Sequence, residues 1–186
     1  MSSVSGKYTI GQDALTEKEY EKLCNVCNSL EEETLLKFAV STALRREDIV
    51  NVLWDNIVLD EQNRKGSVKF SENKKGGIIR TIPIGANLTQ LLLKYRKTCK
   101  PNQKKLFDFC SKTAYNKFQT LCDRAGIRRR PIHALRSTFI KRAQKSGWSP
   151  EAVCALTGDT LRVIQEHYAT PSDQEMTEVA QEKEII

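Results

Sequence analysis

His133-Ala134-Leu135-Arg136 sets an imidazole and a guanidinium three residues apart, directly after Arg128-Arg129-Arg130. On a helix that spacing brings both side chains to one face while Leu135 points inward. The guanidinium offers a fork of donors matched to phosphate, and the imidazole can donate, accept or shuttle a proton. A second arginine, Arg45, lies in Thr42-Ala43-Leu44-Arg45-Arg46-Glu47-Asp48, at a helix junction in front of an acid able to orient it. Lys75 stands against Gly76-Gly77 at the tip of a predicted hairpin, where its amine can give a proton to a leaving oxygen. Tyr168 ends a short helical run behind Leu156-Thr157-Gly158-Asp159 and just ahead of Pro171. Each feature alone has an ordinary structural explanation: a surface pair, a salt bridge, a solvated turn lysine, a half-buried tyrosine. Gathered in one place, the arginines, the histidine and the lysine could grip a phosphate and move protons around it.

The elements that must position these groups are legible in outline. Thr16 caps a helix and Glu19, three residues on, completes a capping box. Leu35, Leu36, Phe38, Ala39 and Val40 mark a second helix, and Ile49, Val50, Val52, Leu53 and Trp54 read as another buried one. Three β-rich runs follow, Ile57-Val58-Leu59, Ser67-Val68-Lys69-Phe70 and Ile78-Ile79-Arg80-Thr81-Ile82. The turn residues between them predict a three-stranded antiparallel sheet of two hairpins, ended by Pro83. A one-residue slip of the second hairpin would exchange Lys75 with Lys74. Helical periodicity returns at Leu88, Leu91, Leu92 and Tyr95, then at Tyr115, Phe118, Leu121 and Cys122, and after Pro131 at Ile132, Leu135, Phe139 and Ile140. Ser149 caps a further helix with Pro150 at its first position, and Gly158 ends it. The expected fold is α+β and mainly helical, with helices around a minor sheet. Residues 1–14 form an N-terminal extension, 15–170 one domain, and 171–186 an acidic, weakly helical tail.

Charge points to an anionic partner. The net charge of +7 hides an asymmetry: from Lys94 to Lys145 there are sixteen Lys or Arg against two acids, Asp108 and Asp123. Residues 1–33 carry three bases against seven acids, and 171–186 one against five. Nucleic acid is the commonest partner of such a basic block. No apolar run approaches the ~20 residues of a membrane span, and the N-terminus lacks a secretory pattern, so an intracellular protein is expected. Cys24 and Cys27 have zinc-ligand spacing without a second pair, and they fall on the apolar face of a helical pattern. They and the other four cysteines read as reduced thiols, with no metal expected.

In order and spacing, Arg45, Lys75, His133-x-x-Arg136 and Tyr168 resemble the tyrosine recombinase (phage integrase) family. Thr42-Ala43-Leu44-Arg45 with Asp48 looks like its T-G-L-R-x-x-E/D junction, and Trp54-Asp55-Asn56-Ile57 like the W-x-D-I before its first strand. Arg80-Thr81-Ile82-Pro83-Ile84 is similar to its R-x-v-P-l, and His133 to Phe139 to its H-x-L-R-H-T-F. The resemblance spans Leu15 to Thr170. It implies a site-specific recombinase in which Tyr168 attacks a scissile phosphodiester, leaving a 3′-phosphotyrosine and a free 5′-hydroxyl. Arg45 and Arg136 would bind the non-bridging oxygens, Lys75 would protonate the departing 5′-oxygen, and His133 would assist proton transfer. Bond energy is kept in the covalent intermediate, so no cofactor, ATP or metal is needed. Implied partners are double-stranded DNA, further copies of the chain in a tetramer on DNA, and accessory DNA-bending proteins. The tail would dock on a neighbouring subunit. The pattern fits a viral, plasmid or chromosomal element equally.

Two departures stand out. Asp159 occupies the place, nine before Tyr168, where the family usually has His or Trp; an acid there repels phosphate unless it points away or pairs with a base. The first motif also comes too early to leave room for the family's N-terminal DNA-clamping domain. Two alternatives share the residue set: a type IB topoisomerase relaxing DNA without site preference, and a DNA-binding relative that has lost the chemistry.

Overall fold

The computed structural model describes residues 10–72 and 78–169, with Thr177 and Gln181 beyond them. Helix α1 (Glu17–Asn25) begins as its sequence dictates. The Thr16 side chain accepts the Glu19 N–H at 3.2 Å and Glu19 accepts the Thr16 N–H at 2.9 Å, so two otherwise unpaired donors are satisfied. Helix α2 (Leu30–Thr42) is buried over most of its circumference, from Leu35, Leu36 and Phe38 to Val40, and forms the centre of the molecule. It ends at Ala43, whose φ of 52° turns the chain sharply into the four-residue α3 (Arg46–Ile49).

The apolar run Ile49–Trp54 is where the sequence reading needs correction. Only Arg46–Ile49 is helical; the chain then extends, and Trp54–Asn56 is a single 3-10 turn. The long-range partner decides this. Val52 accepts the Leu106 N–H at 2.8 Å, Trp54 N–H donates to Lys104 at 2.9 Å, and Leu53 bridges to Lys105. Ile49, Val50, Val52 and Trp54 are buried all the same while Leu53 is exposed, so the pattern reported burial correctly at four of its five positions and conformation wrongly.

Strands β1 (Ile57–Asp60), β2 (Lys65–Glu72) and β3 (Ile78–Ile84) form an antiparallel sheet in that order. Val68 faces Ile57 on one side and Ile82 on the other, and all three are buried, which fixes the register. Pro83 lies within β3, opposite Ser67, rather than ending the strand before it. Residues 73–77, with Lys74 and Lys75, lie outside the described residues. Helices α4 (Ala86–Arg96) and α5 (Ser111–Arg124) complete the main core with Leu92, Phe118 and Leu121, joined by Phe107 from the segment between them.

Helices α6 (His133–Lys145), α7 (Pro150–Thr157) and α8 (Leu161–Tyr168) form a second, smaller core of Ile140, Ala143, Val153, Ile164 and Tyr168. Ser149 caps α7 by accepting the Ala152 N–H at 3.2 Å, with Pro150 at its first position. Gly158 ends it at φ 73°, a left-handed conformation that glycine adopts without steric penalty. A 3-10 turn at Ile10–Asp13 packs on α6 and α8, so this part of the N-terminal extension is built into the domain.

Folding also redistributes the charge asymmetry. Acids from the N-terminal third pair with the basic block: Glu17 with Arg142 at 2.6 Å, Glu19 with Arg130 at 2.8 Å, Glu31 with Lys117 at 2.7 Å and Glu32 with Arg124 at 2.5 Å. Much of the block is therefore compensated within the molecule. Among the described residues, no helix is long and apolar enough to cross a membrane.

Candidate active site

Arg136 anchors the site from the first half of α6. Its side chain is 3 % exposed. Nη1 donates to the Ala43 carbonyl at the left-handed end of α2, and Nη2 donates to the Thr157 carbonyl at the end of α7, 2.9 Å away. Three separate elements thus meet at one guanidinium, and two of them present backbone oxygens because their helices end there. Arg45, at the N-cap of α3, comes from the same turn as Ala43 and is more accessible, at 33 %.

Between the two arginines lies Asp159. Its Oδ2 accepts from Arg136 Nη2 at 2.6 Å and its Oδ1 from Arg45 Nη2 at 3.3 Å. The sequence left Asp159 either pointing away or pairing with a base; it pairs with both candidate arginines. The turn that holds it is closed by Asp159 N–H donating to Thr157 Oγ1 at 3.2 Å, and by Gly158, against which Arg80 of β3 packs its guanidinium. A β-carbon at Gly158 would occupy the space of that guanidinium.

His133, one turn before Arg136 on α6, faces Tyr168 at the end of α8; Nε2 and the phenol oxygen are 3.2 Å apart. Both groups are largely withdrawn from water, and Tyr168 is 2 % exposed. Burial disfavours charge on each, pulling the His133 pKa below its usual 6.5, with Arg136 acting in the same sense, and pushing the Tyr168 phenol above its usual 10. A hydrogen bond from Ser137 and the positive charge of Arg136 oppose the rise at Tyr168. Ser137 was not singled out from sequence; its only signal is its place one helical turn after His133.

Four of the five candidates, Arg45, His133, Arg136 and Tyr168, therefore converge, and the fifth, Lys75, lies outside the described residues. Helix spacing accounts for the pair on α6, and the ends of α2 and α7 for the arginine geometry. The arrangement presents two guanidiniums already holding an anion, beside a phenol in contact with an uncharged imidazole. It is equipped to bind a tetrahedral anion and to move a proton off the phenol. Among the described residues, no group of His, Cys, Asp and Glu side chains is placed to hold a metal ion.

A model of the phage integrase family matches residues 13–175, and this chain belongs to that family. A tyrosine recombinase named XerA from Saccharolobus solfataricus is 33 % identical over 134 residues, covering 72 % of this chain and 44 % of the relative. The chain thus spans less than half the length of the curated relative it matches. A crystal structure of XerA recombinase superposes with a TM-score of 0.77 at 18 % identity, over 91 % of this chain and 64 % of that one. XerH site-specific recombinase bound to its difH substrate gives 0.68 at 18 % identity, over 97 % and 56 %. At those identities the likeness shows a shared fold: mainly helical, with a small antiparallel sheet.

Proposed function

We propose that this chain is the catalytic part of a site-specific DNA recombinase that cuts and rejoins strands through a 3′-phosphotyrosine intermediate. The observation that carries the reading is the contact between His133 and Tyr168 beside the Arg45–Arg136 pair. Family membership and the likeness to a Tn1549 transposon integrase solved in complex with transposon right end DNA support DNA as the partner.

In this mechanism the phenol oxygen of Tyr168 attacks the scissile phosphorus and the bond to the 5′-oxygen breaks. The phenol proton passes to neutral His133, and the departing 5′-oxygen takes a proton from Lys75. Arg45 and Arg136 hold the non-bridging oxygens, where negative charge grows. Rejoining reverses these steps with a 5′-hydroxyl as the attacking group. Because Tyr168 is 2 % exposed, α8 shifts when a phosphate is engaged. A tetramer on DNA, with residues 171–186 docking on a neighbouring copy, is the assembly this reading implies; deletion of those residues then weakens oligomerisation on DNA.

A suicide duplex nicked next to the scissile phosphate tests the chemistry, since the short 5′-hydroxyl fragment diffuses away and traps the covalent complex. Native chain and target duplex yield a protein–DNA adduct stable to denaturant, and Tyr168→Phe yields none. Relaxation of a supercoiled plasmid without recombinant products favours topoisomerase activity instead.

A further inference from the structure

Asp159 is the feature that the reaction just described does not use. Its two carboxylate oxygens are divided between the two guanidiniums, one at 2.6 Å and the other at 3.3 Å. A carboxylate and a phosphate offer an arginine the same object, a pair of oxygens sharing negative charge. Asp159 therefore occupies the ground that the non-bridging oxygens need. Its part in orienting Arg136 is small, because the Ala43 and Thr157 carbonyls already fix that guanidinium from two sides. Its larger effect is on charge: it supplies the counter-ion for an arginine that is 3 % exposed.

We propose that Asp159 is a resident anion that holds Arg45 and Arg136 in place of a phosphate and is displaced when one binds. The inference rests on the phosphate-binding reading of the site. Displacement is feasible where the carboxylate sits: Asp159 lies in the short turn between α7 and α8, while Arg136 keeps both backbone partners when the acid leaves. The incoming phosphate takes over as counter-ion. The consequence is selectivity, because a phosphate that merely drifts into the site competes with an anion already in place. One delivered in register by a bound duplex has the binding energy of the rest of the interface behind it.

Inorganic phosphate, titrated at constant ionic strength and followed by the guanidinium resonances of Arg45 and Arg136, tests this without any strand cleavage. Asp159→Asn keeps the shape and removes the charge, and it should bind phosphate at least about tenfold more tightly than the native chain. The gain should disappear when Arg45→Ala is added. Loss of the counter-ion also destabilises Asp159→Asn, so its melting temperature is read with and without phosphate: recovery specific to this variant supports the proposal. Asp159→His, which restores the residue kind usual in the family, should show the same tighter binding. Equal or weaker phosphate binding in Asp159→Asn and Asp159→His overturns the proposal, and makes Asp159 an orienting residue that stays beside the bound phosphate. If the asparagine variant does not fold even with phosphate present, the histidine variant alone decides. Strand cleavage is judged by the suicide duplex, so failure of this inference and failure of the proposed chemistry give different results.

Discussion

Arg136 spends its donors on Ala43, Thr157 and Asp159 from a nearly water-free position. Its truncation leaves two carbonyls and a carboxylate unsatisfied together. Arg136→Ala should therefore lose about 3–5 kcal/mol of stability, measurable by urea denaturation; a loss under 1 kcal/mol would contradict the burial described. Tyr168→Phe keeps the ring in its core and removes the phenol's hydrogen bonds with His133 and Ser137, at a cost of about 1–2 kcal/mol, so it remains folded for use as a control. His133 gives a pH signature. Its folded pKa lies below the usual 6.5, so between those two values the unfolded chain binds more protons than the folded one. Stability then falls as pH drops through about 6.5 and levels off below the folded pKa. His133→Gln should remove that segment of the stability profile, and the neutral imidazole should keep cleavage going at pH values where an ordinary histidine is already protonated. An unchanged profile in the variant would show that the imidazole is not buried in the neutral form.

The position of the Tyr168 phenol, the proposed nucleophile, depends on how α8 is seated. Gly11, in the 3-10 turn preceding α1, lies so close that a β-carbon there would stand 2.5 Å from the His167 carbonyl oxygen and 3.4 Å from the Tyr168 Cα. Gly11→Ala should displace the last turn of α8, separate the phenol from His133, and bring the phenol titration, followed by ultraviolet difference absorbance, down toward ~10; no change would mean that the turn yields instead. Gly158→Ala meets two obstacles, the left-handed backbone and the Arg80 guanidinium. It should cost about 1–2 kcal/mol, and it should slow cleavage further by moving Asp159 and the start of α8. How much of this was visible in the sequence follows from the range of the forces involved. The Thr16 capping box, the Ser149-Pro150 helix start and the Gly158 stop act within a few residues and could be read directly. The break from helix at Val52–Trp54 could not, because Lys104–Leu106 impose it from a distant part of the chain. The Asp159 bridge was legible only as a choice between two outcomes, because it depends on Arg45, Arg136 and Asp159 meeting in three dimensions.

Across the whole molecule, the basic block does not act as sixteen uncompensated charges. Glu17, Glu19, Glu31 and Glu32 each engage one of its cations, which ties the two ends of the domain together and lowers the charge available to DNA. DNA affinity should still fall steeply with salt, but with a log–log slope well short of the roughly −14 expected if all sixteen neutralised phosphates. A flat response would contradict a phosphate-dominated interface. The central claim, that one phenol in this fold attacks a phosphorus atom held by two arginines, is tested most directly by locating the covalent bond. Native chain is reacted with a nicked duplex carrying the target site, digested with protease and nuclease, and sequenced by tandem mass spectrometry. The account predicts a nucleotide joined through its 3′-phosphate to the peptide containing Tyr168, and its loss in Arg136→Lys, whose single ammonium cannot reproduce the fork. Attachment at any other side chain, or a 5′-phosphate linkage, would contradict it.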